Sequence, residues 1–168
     1  MKIFIGADHA GFEMKEKLVL FLRDLGHEVE DKGAFKLTPG DDYPDFIIPV
    51  ARAVAGDPEV LRGIVIGGSG QGEAMAANRL KGVRAIVFNG QYEPKDGREI
   101  PHEIETARQH NNANILSLGA RFLNETEAKE AVKLWLDTPF SNDERHVRRL
   151  QKIDTISDKS DLSEHHND

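Results

Sequence analysis

The densest chemical signal in this chain is the run Gly67-Gly68-Ser69-Gly70-Gln71-Gly72, followed at once by Glu73. Glycines let backbone N–H groups close on an anion, and a helix N-terminus adds its dipole. The run follows apolar Gly63-Ile64-Val65-Ile66, so it lies where a buried strand gives way to a helix. The spacing of Gly68, Gly70 and Gly72 is not the dinucleotide fingerprint, no acid closes a strand about 20 residues on, and no Gly-Lys-Ser/Thr follows as in a P-loop. Two readings remain: an anion cradle over Gly68–Gly72, or a tight strand-to-helix turn without a ligand. Glu73 is a candidate base, or only a favourable partner of the helix dipole. Ser69 can orient that carboxylate, meet a substrate oxygen or cap the helix.

Three more groups carry reactive or anion-binding side chains. Asp8-His9 follows the first apolar run, where ligands of parallel sheets bind, or where Asp8 caps the next helix. His110-Asn111-Asn112 precedes the fifth apolar run; His110 is a proton-transfer candidate or a helix C-cap. Arg145-His146-Val147-Arg148-Arg149 puts Arg145 and Arg149 on one helix face, suited to a phosphate or to solvent and nearby acids. Arg121, just after the fifth apolar run, takes another rim position.

The elements that must hold these residues alternate. Lys2–Gly6 reads as a buried strand, and Met14, Leu18, Phe21, Leu22 and Leu25 as a helix that Gly26 stops. His27–Asp31 is a shorter, more polar strand near an edge, and 35–42 a loop. Asp45–Ala55 reads as a helix that Pro49 disturbs in its first turns. Strands at Gly63–Ile66, Arg84–Phe88 and Asn114–Leu118 alternate with helices at Glu73–Arg79 and Ile104–His110. Asn124 and Glu127 form a capping box for a helix to about Leu136, and a basic helix runs from near Asn142 past Ile153. This pattern predicts an α/β fold, a mostly parallel sheet of about five strands with helices on both faces. Strand order is not legible.

The 168 residues predict one domain, over 1–153. Residues 154–168 form an acidic tail, with Asp154, Asp158, Asp161, Glu164 and Asp168 against Lys159, and the net charge is −7. That balance argues against a nucleic-acid binder. No run suits a membrane span, and the N-terminus lacks a signal peptide's apolar stretch, so the cytoplasm is the expected compartment. The chain has no cysteine, which excludes a disulfide scaffold, a thiolate metal site and a cysteine nucleophile.

These pieces together resemble the type B ribose-5-phosphate isomerases and their galactose-6-phosphate isomerase relatives. The matching motifs are Ile5-Gly6-Ala7-Asp8-His9-Ala10-Gly11-Phe12, Asp42-Tyr43-Pro44-Asp45, Gly67 to Glu73, Ala76-Ala77-Asn78, Arg108 to Asn114, Leu118-Gly119-Ala120-Arg121 and Arg145-His146, in order over about 1–153. The resemblance implies a Rossmann-like three-layer α/β/α sandwich used without a nucleotide. It implies a homodimer or tetramer with active sites shared between subunits. The implied reaction is aldose–ketose isomerisation of a sugar phosphate through a cis-enediolate, with no metal and no cofactor. Many members place a cysteine base where this chain has Gly67; a second subgroup uses a glutamate after the loop, which makes Glu73 the implied base. By the same resemblance His110 opens the sugar ring with Asp8 assisting, and Ser69 orients Glu73 or shuttles a hydroxyl proton. Gly68, Gly70, Gln71 and Gly72 line the substrate, Asn111 binds sugar hydroxyls or the enediolate, and Tyr43 lines the pocket. His9, Arg121, Arg145 and Arg149 hold the phosphate. His110 and Arg121 are expected from the subunit opposite Glu73.

One departure stands out. The stretch around Asn89–His102 is longer than in familiar members, rich in Pro, Gly and charge, and leaves a strand at the substrate rim. Three functions follow: a ribose 5-phosphate isomerase, the same chemistry on a six-carbon aldose phosphate of the allose or galactose type, or a phosphosugar-binding protein without turnover.

Overall fold

A computed structural model describes residues 1–155 of the chain. The acidic tail expected over 154–168 lies outside it from residue 156 on. Five strands form one sheet: β1 (Lys2–Ala7), β2 (Glu28–Asp31), β3 (Arg62–Gly67), β4 (Ala85–Phe88) and β5 (Ile115–Gly119). Their order is β2-β1-β3-β5-β4, and every pairing is parallel. Six helices accompany them: α1 (Phe12–Asp24), α2 (Pro44–Ala55), α3 (Gln71–Ala77), α4 (Glu103–Asn111), α5 (Glu125–Asp137) and α6 (Glu144–Asp154).

Side chains alternate across the strands, and so sort the helices into two layers. Ile3, Ile5, Ile64, Ile66, Leu116 and Leu118 pack on one face against Leu18 and Leu22 of α1, Ile104 of α4 and Trp135 of α5. Phe4, Val65 and Ile115 face the other way, against Val50 and Val54 of α2 and Ala77 of α3. The expected three-layer α/β/α sandwich is the observed one. β2 is indeed an edge strand, as its polarity predicts.

Most element ends lie one or two residues from the sequence reading, and three of these shifts have clear local reasons. α2 begins at Pro44, whose missing N–H costs nothing in a first turn, and continues through Pro49. α3 begins two residues earlier than Glu73, because Gly70 takes a left-handed φ of 74° and turns the chain directly into the helix. α6 starts at Glu144, after Asn142 at positive φ. The Asn124–Glu127 capping box is formed as expected.

The chain leaves β1 toward β2 and later leaves β3 toward β5 and β4. The carboxyl ends of β1 and β3 therefore flank a topological switch point, where the crevice of an open parallel sheet lies. No helix among the described residues is long and apolar enough to cross a membrane.

Candidate active site

The carboxyl ends of β1 and β3 bring Asp8, His9 and the glycine loop to that crevice. The loop is held by its carbonyls. Gly67 O accepts from Ala120 N–H (2.8 Å) and Gly68 O from Arg121 N–H (3.2 Å). Ser69 O accepts from the Asn89 side-chain amide (3.0 Å), and Gly70 O from the Ser117 hydroxyl (2.6 Å). With four consecutive carbonyls tied down, the amide N–H groups are the side of the loop left for an anion.

Glu73 is buried, at 4% exposure. Burial pushes its carboxyl above the ordinary glutamate value, its own backbone hydrogen bond pulls the other way, and the nearby Asp8 charge adds to the rise. Its carboxylate fills the space beside Gly67: a β-carbon there would fall on Glu73 Oε1. A side chain at 67 and a carboxylate from 73 therefore exclude one another, which is why a glycine stands here. Ser69 Oγ accepts from Gln71 N–H at 3.4 Å, but the N-cap of α3 is Gly70, so Ser69 is not the helix cap. Gln71 itself is exposed. The Tyr43 ring lies over Gly72, its Cζ 2.8 Å from where a β-carbon would stand.

Asp8 is buried, and its Oδ1 accepts from Ala10 N–H (2.9 Å) and Gly11 N–H (3.1 Å), closing the turn into α1. His9 pairs with Asp41: Asp41 Oδ1 accepts from His9 N–H (2.9 Å) and stands 2.6 Å from Nδ1.

Arg121 belongs to this rim as well. Gly119 is level with Gly67 across the β3–β5 pairing, so two residues later the Arg121 guanidinium lies over Gly68, its Cζ 2.9 Å from a β-carbon position there. The expectation that Arg121 faces Glu73 only from a second subunit is corrected: the adjacency of β5 to β3 puts it beside the glycine loop of its own chain.

His110 and Asn111 lie at the other edge. They end α4, which descends from the rim, and β5 starts four residues later, level with the start of β3. About five strand residues at ~3.3 Å each separate that edge from the rim, so His110 and Glu73 of one chain are on the order of 15 Å apart. The His110 ring packs at a 36° tilt against His146 of α6, ring centroids 4.3 Å apart. His146 is buried and accepts or donates at Ser141 Oγ (2.9 Å); burial, then the His110 and Arg145 charges, hold its pKa below the ordinary value. Arg145 and Arg149 are exposed on the same helix. Arg145 reaches only Asp143, at 3.9 Å, among the described residues.

Beneath them is a buried scaffold. Arg108 donates to Asn112 Oδ1 (2.8 Å), Ala113 O (2.6 Å) and Thr138 O (3.1 Å). Burial lowers its pKa to about 10, and it stays a cation at neutral pH. Arg84 bonds Asn112 O (3.0 Å) and Glu59 (3.0 Å). Asn114 accepts from Arg84 N–H (2.8 Å) and donates to the Pro58 and Gly82 carbonyls. The motif from Arg108 to Asn114 thus splits into presented residues, His110 and Asn111, and the buried residues that position them.

The sequence reading missed four positioning residues. Ser117 was findable as the one hydroxyl inside an apolar strand; Asn89, Asp41 and Asn112 needed the strand order or long-range contacts. The longer stretch from Asn89 starts at the rim, where Asn89 holds Ser69, and then folds along edge strand β4 and α4. There Tyr92, Ile100 and Pro101 line a cavity of about 350 Å³ with Ile86 and Asn111.

The chain matches the sequence profile described as Ribose/Galactose Isomerase over residues 3–153. It is 40% identical over 151 residues to ribose-5-phosphate isomerase B of Mycobacterium tuberculosis (strain H37Rv), covering 89% of this chain and 86% of that protein. It is 37% identical over 158 residues to ribose-5-phosphate isomerase B of Escherichia coli K12, covering 94% and 97%. The crystal structure of ribose-5-phosphate isomerase B from Mycoplasma genitalium with bound ribulose-5-phosphate superposes with a TM-score of 0.82 at 36% identity, over 91% of this chain and 93% of that one. With the switch-point crevice, the glycine loop and Glu73 described above, these matches mean that this chain belongs to the ribose/galactose isomerase family.

Proposed function

We propose that this chain interconverts ribose 5-phosphate and ribulose 5-phosphate in the cytoplasm, with residues 1–153 as the isomerase domain. The observation that carries the reading is a buried glutamate of raised pKa, set beside Asp8 and behind a loop whose carbonyls are tied away. In the open-chain aldose, the Glu73 carboxylate takes the proton from C2. The C1 oxygen gains the charge, and the N–H groups of Gly68–Gly72 stabilise the enediolate. Glu73 returns the proton to C1, and the hydroxyl proton moves from O2 to O1 with Ser69 at hand. This transfer needs neither a nicotinamide nor a metal. Tyr43 lines the sugar, and His9 and Arg121 take the phosphate at the rim.

His110 opens the furanose ring as acid–base with Asp8 near the ring oxygen; Asn111 meets sugar hydroxyls, and Arg145 and Arg149 add phosphate contacts. These four residues of the amino edge reach Glu73 only from a second copy. We infer a homodimer, or a tetramer built of such dimers, in which each site joins the rim of one subunit to the amino edge of its partner.

A six-carbon aldose phosphate is the second reading, favoured by the bond from Asn89, at the root of the extended stretch, to Ser69 of the glycine loop. A turnover panel in chelator tests both, with ribose 5-phosphate, allose 6-phosphate and galactose 6-phosphate and Glu73→Gln as control. Ribose 5-phosphate turnover that falls about 10²- to 10⁴-fold in the variant is expected. Turnover of a six-carbon substrate alone would move the function to the second reading; binding without turnover would leave a phosphosugar-binding protein.

A further inference from the structure

Asp41 contacts the site through His9, and what that contact does for a ligand is still to be derived. It lies 32 residues from His9 in sequence, yet one of its oxygens grips that residue twice, at the backbone N–H (2.9 Å) and at ring Nδ1 (2.6 Å). Two anchors on one acceptor fix both the main chain and the ring rotation of His9. The histidine side chain is 33% exposed while the Asp41 side chain is only 10% exposed, so the ring reaches the crevice and its holder does not. The second oxygen, Oδ2, is buried without a hydrogen-bond partner among the described residues. Burying a carboxylate oxygen this way costs stability, and a neutral side chain would close the loop without that cost. Asp8 does not replace it: its Oδ2 is 3.9 Å from the same Nδ1, and its Oδ1 is taken by the turn into α1.

The loop that presents Asp41 is itself anchored to the site. Ala7 N–H donates to Gly33 O and Ala34 N–H to Ala7 O, both at 2.7 Å, at the residue just before Asp8. Asp31 accepts from Gly33 N–H (2.8 Å) and pairs with the fully buried ammonium of Lys15.

We propose that Asp41 is a positioning residue for the phosphate site: by taking the Nδ1 side of His9 it turns Nε2 toward the substrate phosphate. The inference rests on the phosphate role of His9 proposed above. A carboxylate and a phosphate oxygen both accept, so the ring that joins them donates twice, Nδ1–H to Asp41 and Nε2–H to the phosphate, and does so in its doubly protonated form. Held at Nδ1, the ring meets a ligand through Nε2 in one orientation; released, it rotates and the contact is lost for part of the time.

The test is a double-mutant cycle on the full-length chain, reading KM for ribose 5-phosphate, kcat, and competitive inhibition by inorganic phosphate. Asp41→Ala should raise KM and the phosphate inhibition constant together, about 5- to 20-fold, the ordinary worth of a charge-assisted hydrogen bond, with kcat changed less than about twofold. Asp41→Asn, which keeps an acceptor, should recover part of the loss, and it carries the cycle if the alanine variant does not fold. In a His9→Asn background the same substitution should change KM by less than about twofold, since nothing is left to position. A long-range ¹H–¹⁵N spectrum should show His9 protonated at Nδ1 in the unaltered protein and no longer fixed there in Asp41→Ala. Equal effects in both backgrounds, or an unchanged KM in Asp41→Ala while His9→Asn raises it, would overturn the inference and leave the phosphate role of His9 standing. An unchanged KM in His9→Asn would remove that role and this inference with it.

Discussion

The two edges of the sheet are built on opposite plans. At the carboxyl rim the reactive groups are inside: Glu73 and Asp8 are buried, and the glycine loop is pinned through four carbonyls. At the amino edge the charges inside are structural. Arg84, Arg108, Asn112 and Asn114 are buried and mutually bonded, and His110, Asn111, Arg145 and Arg149 stand out from them. A base needs a dry, fixed place for its pKa to rise. Groups that must complete a neighbour's site need to project. A rigid sheet keeps the two edges apart, so on the proposed residue roles neither edge is a whole site and chemistry that needs both requires a second copy.

Subunit mixing gives the largest expected effect. Glu73→Gln and His110→Asn should each be nearly inactive alone. A dimer with one of each has one site with both replacements and one with neither. After random exchange half the dimers are of this kind, so activity should return to about a quarter of the unaltered protein. A mixture that stays inactive after proven exchange would mean that the two edges do not share a site.

Gly67→Ala attacks the rim alone. Its methyl would occupy the place of Glu73 Oε1, and the flexible carboxylate would give way before the backbone does. The expected result is a kcat loss of about 100-fold or more, since a displacement near 1 Å is costly at a base, with the unfolding midpoint close to that of the unaltered protein. Kinetics and thermal unfolding on one preparation check both halves of this expectation.

The rim was more legible than the amino edge, for a physical reason. Glycine run, strand end and following acid are adjacent in sequence, and the rule that ligands gather at strand carboxyl ends needs no strand order. That rule also placed Arg121 at the rim, whereas the family resemblance moved it to the partner. At the amino edge the motif from Arg108 to Asn114 reads as one polar string. Its division into scaffold and presented groups follows from a helix end with Asn112 at φ 42° and from contacts to Glu59 and Thr138, many residues away. Asn89 holds Ser69 only because β4 and β3 flank β5, a fact of strand order that periodicity does not carry.

A smaller effect separates the base from its neighbour. As the proposed base, Glu73 would act as a carboxylate, so kcat/KM should fall as pH drops through its raised pKa. Part of that rise comes from the Asp8 charge. Asp8→Asn removes it, so the acid limb should move to lower pH even as the maximal rate falls with the loss of help in ring opening. Measuring both proteins with the same substrate cancels the titration of the sugar phosphate itself. A limb that stays in place would mean that burial alone sets the Glu73 pKa.

The smallest effect is on stability, and its sign runs against the usual cost of a core substitution. The folded-state pKa of Glu73 lies above its ordinary value of 4.5, so folding favours the protonated form. Its favourable contribution is complete below that ordinary value and is lost as pH rises through the folded pKa. Glutamine has nearly the same shape and no charge to desolvate. Glu73→Gln should therefore unfold at a slightly higher temperature than the unaltered protein at pH 7 to 8, by about 1–3 °C, and at the same temperature near pH 4. An inactive variant that is the more stable one at neutral pH, with the gap closing in acid, is what a desolvated carboxylate in the proposed role of base requires. A gap of the opposite sign, or one that ignores pH, would mean that the Glu73 charge is well solvated in the folded protein, and the rim would lose its distinction from the amino edge.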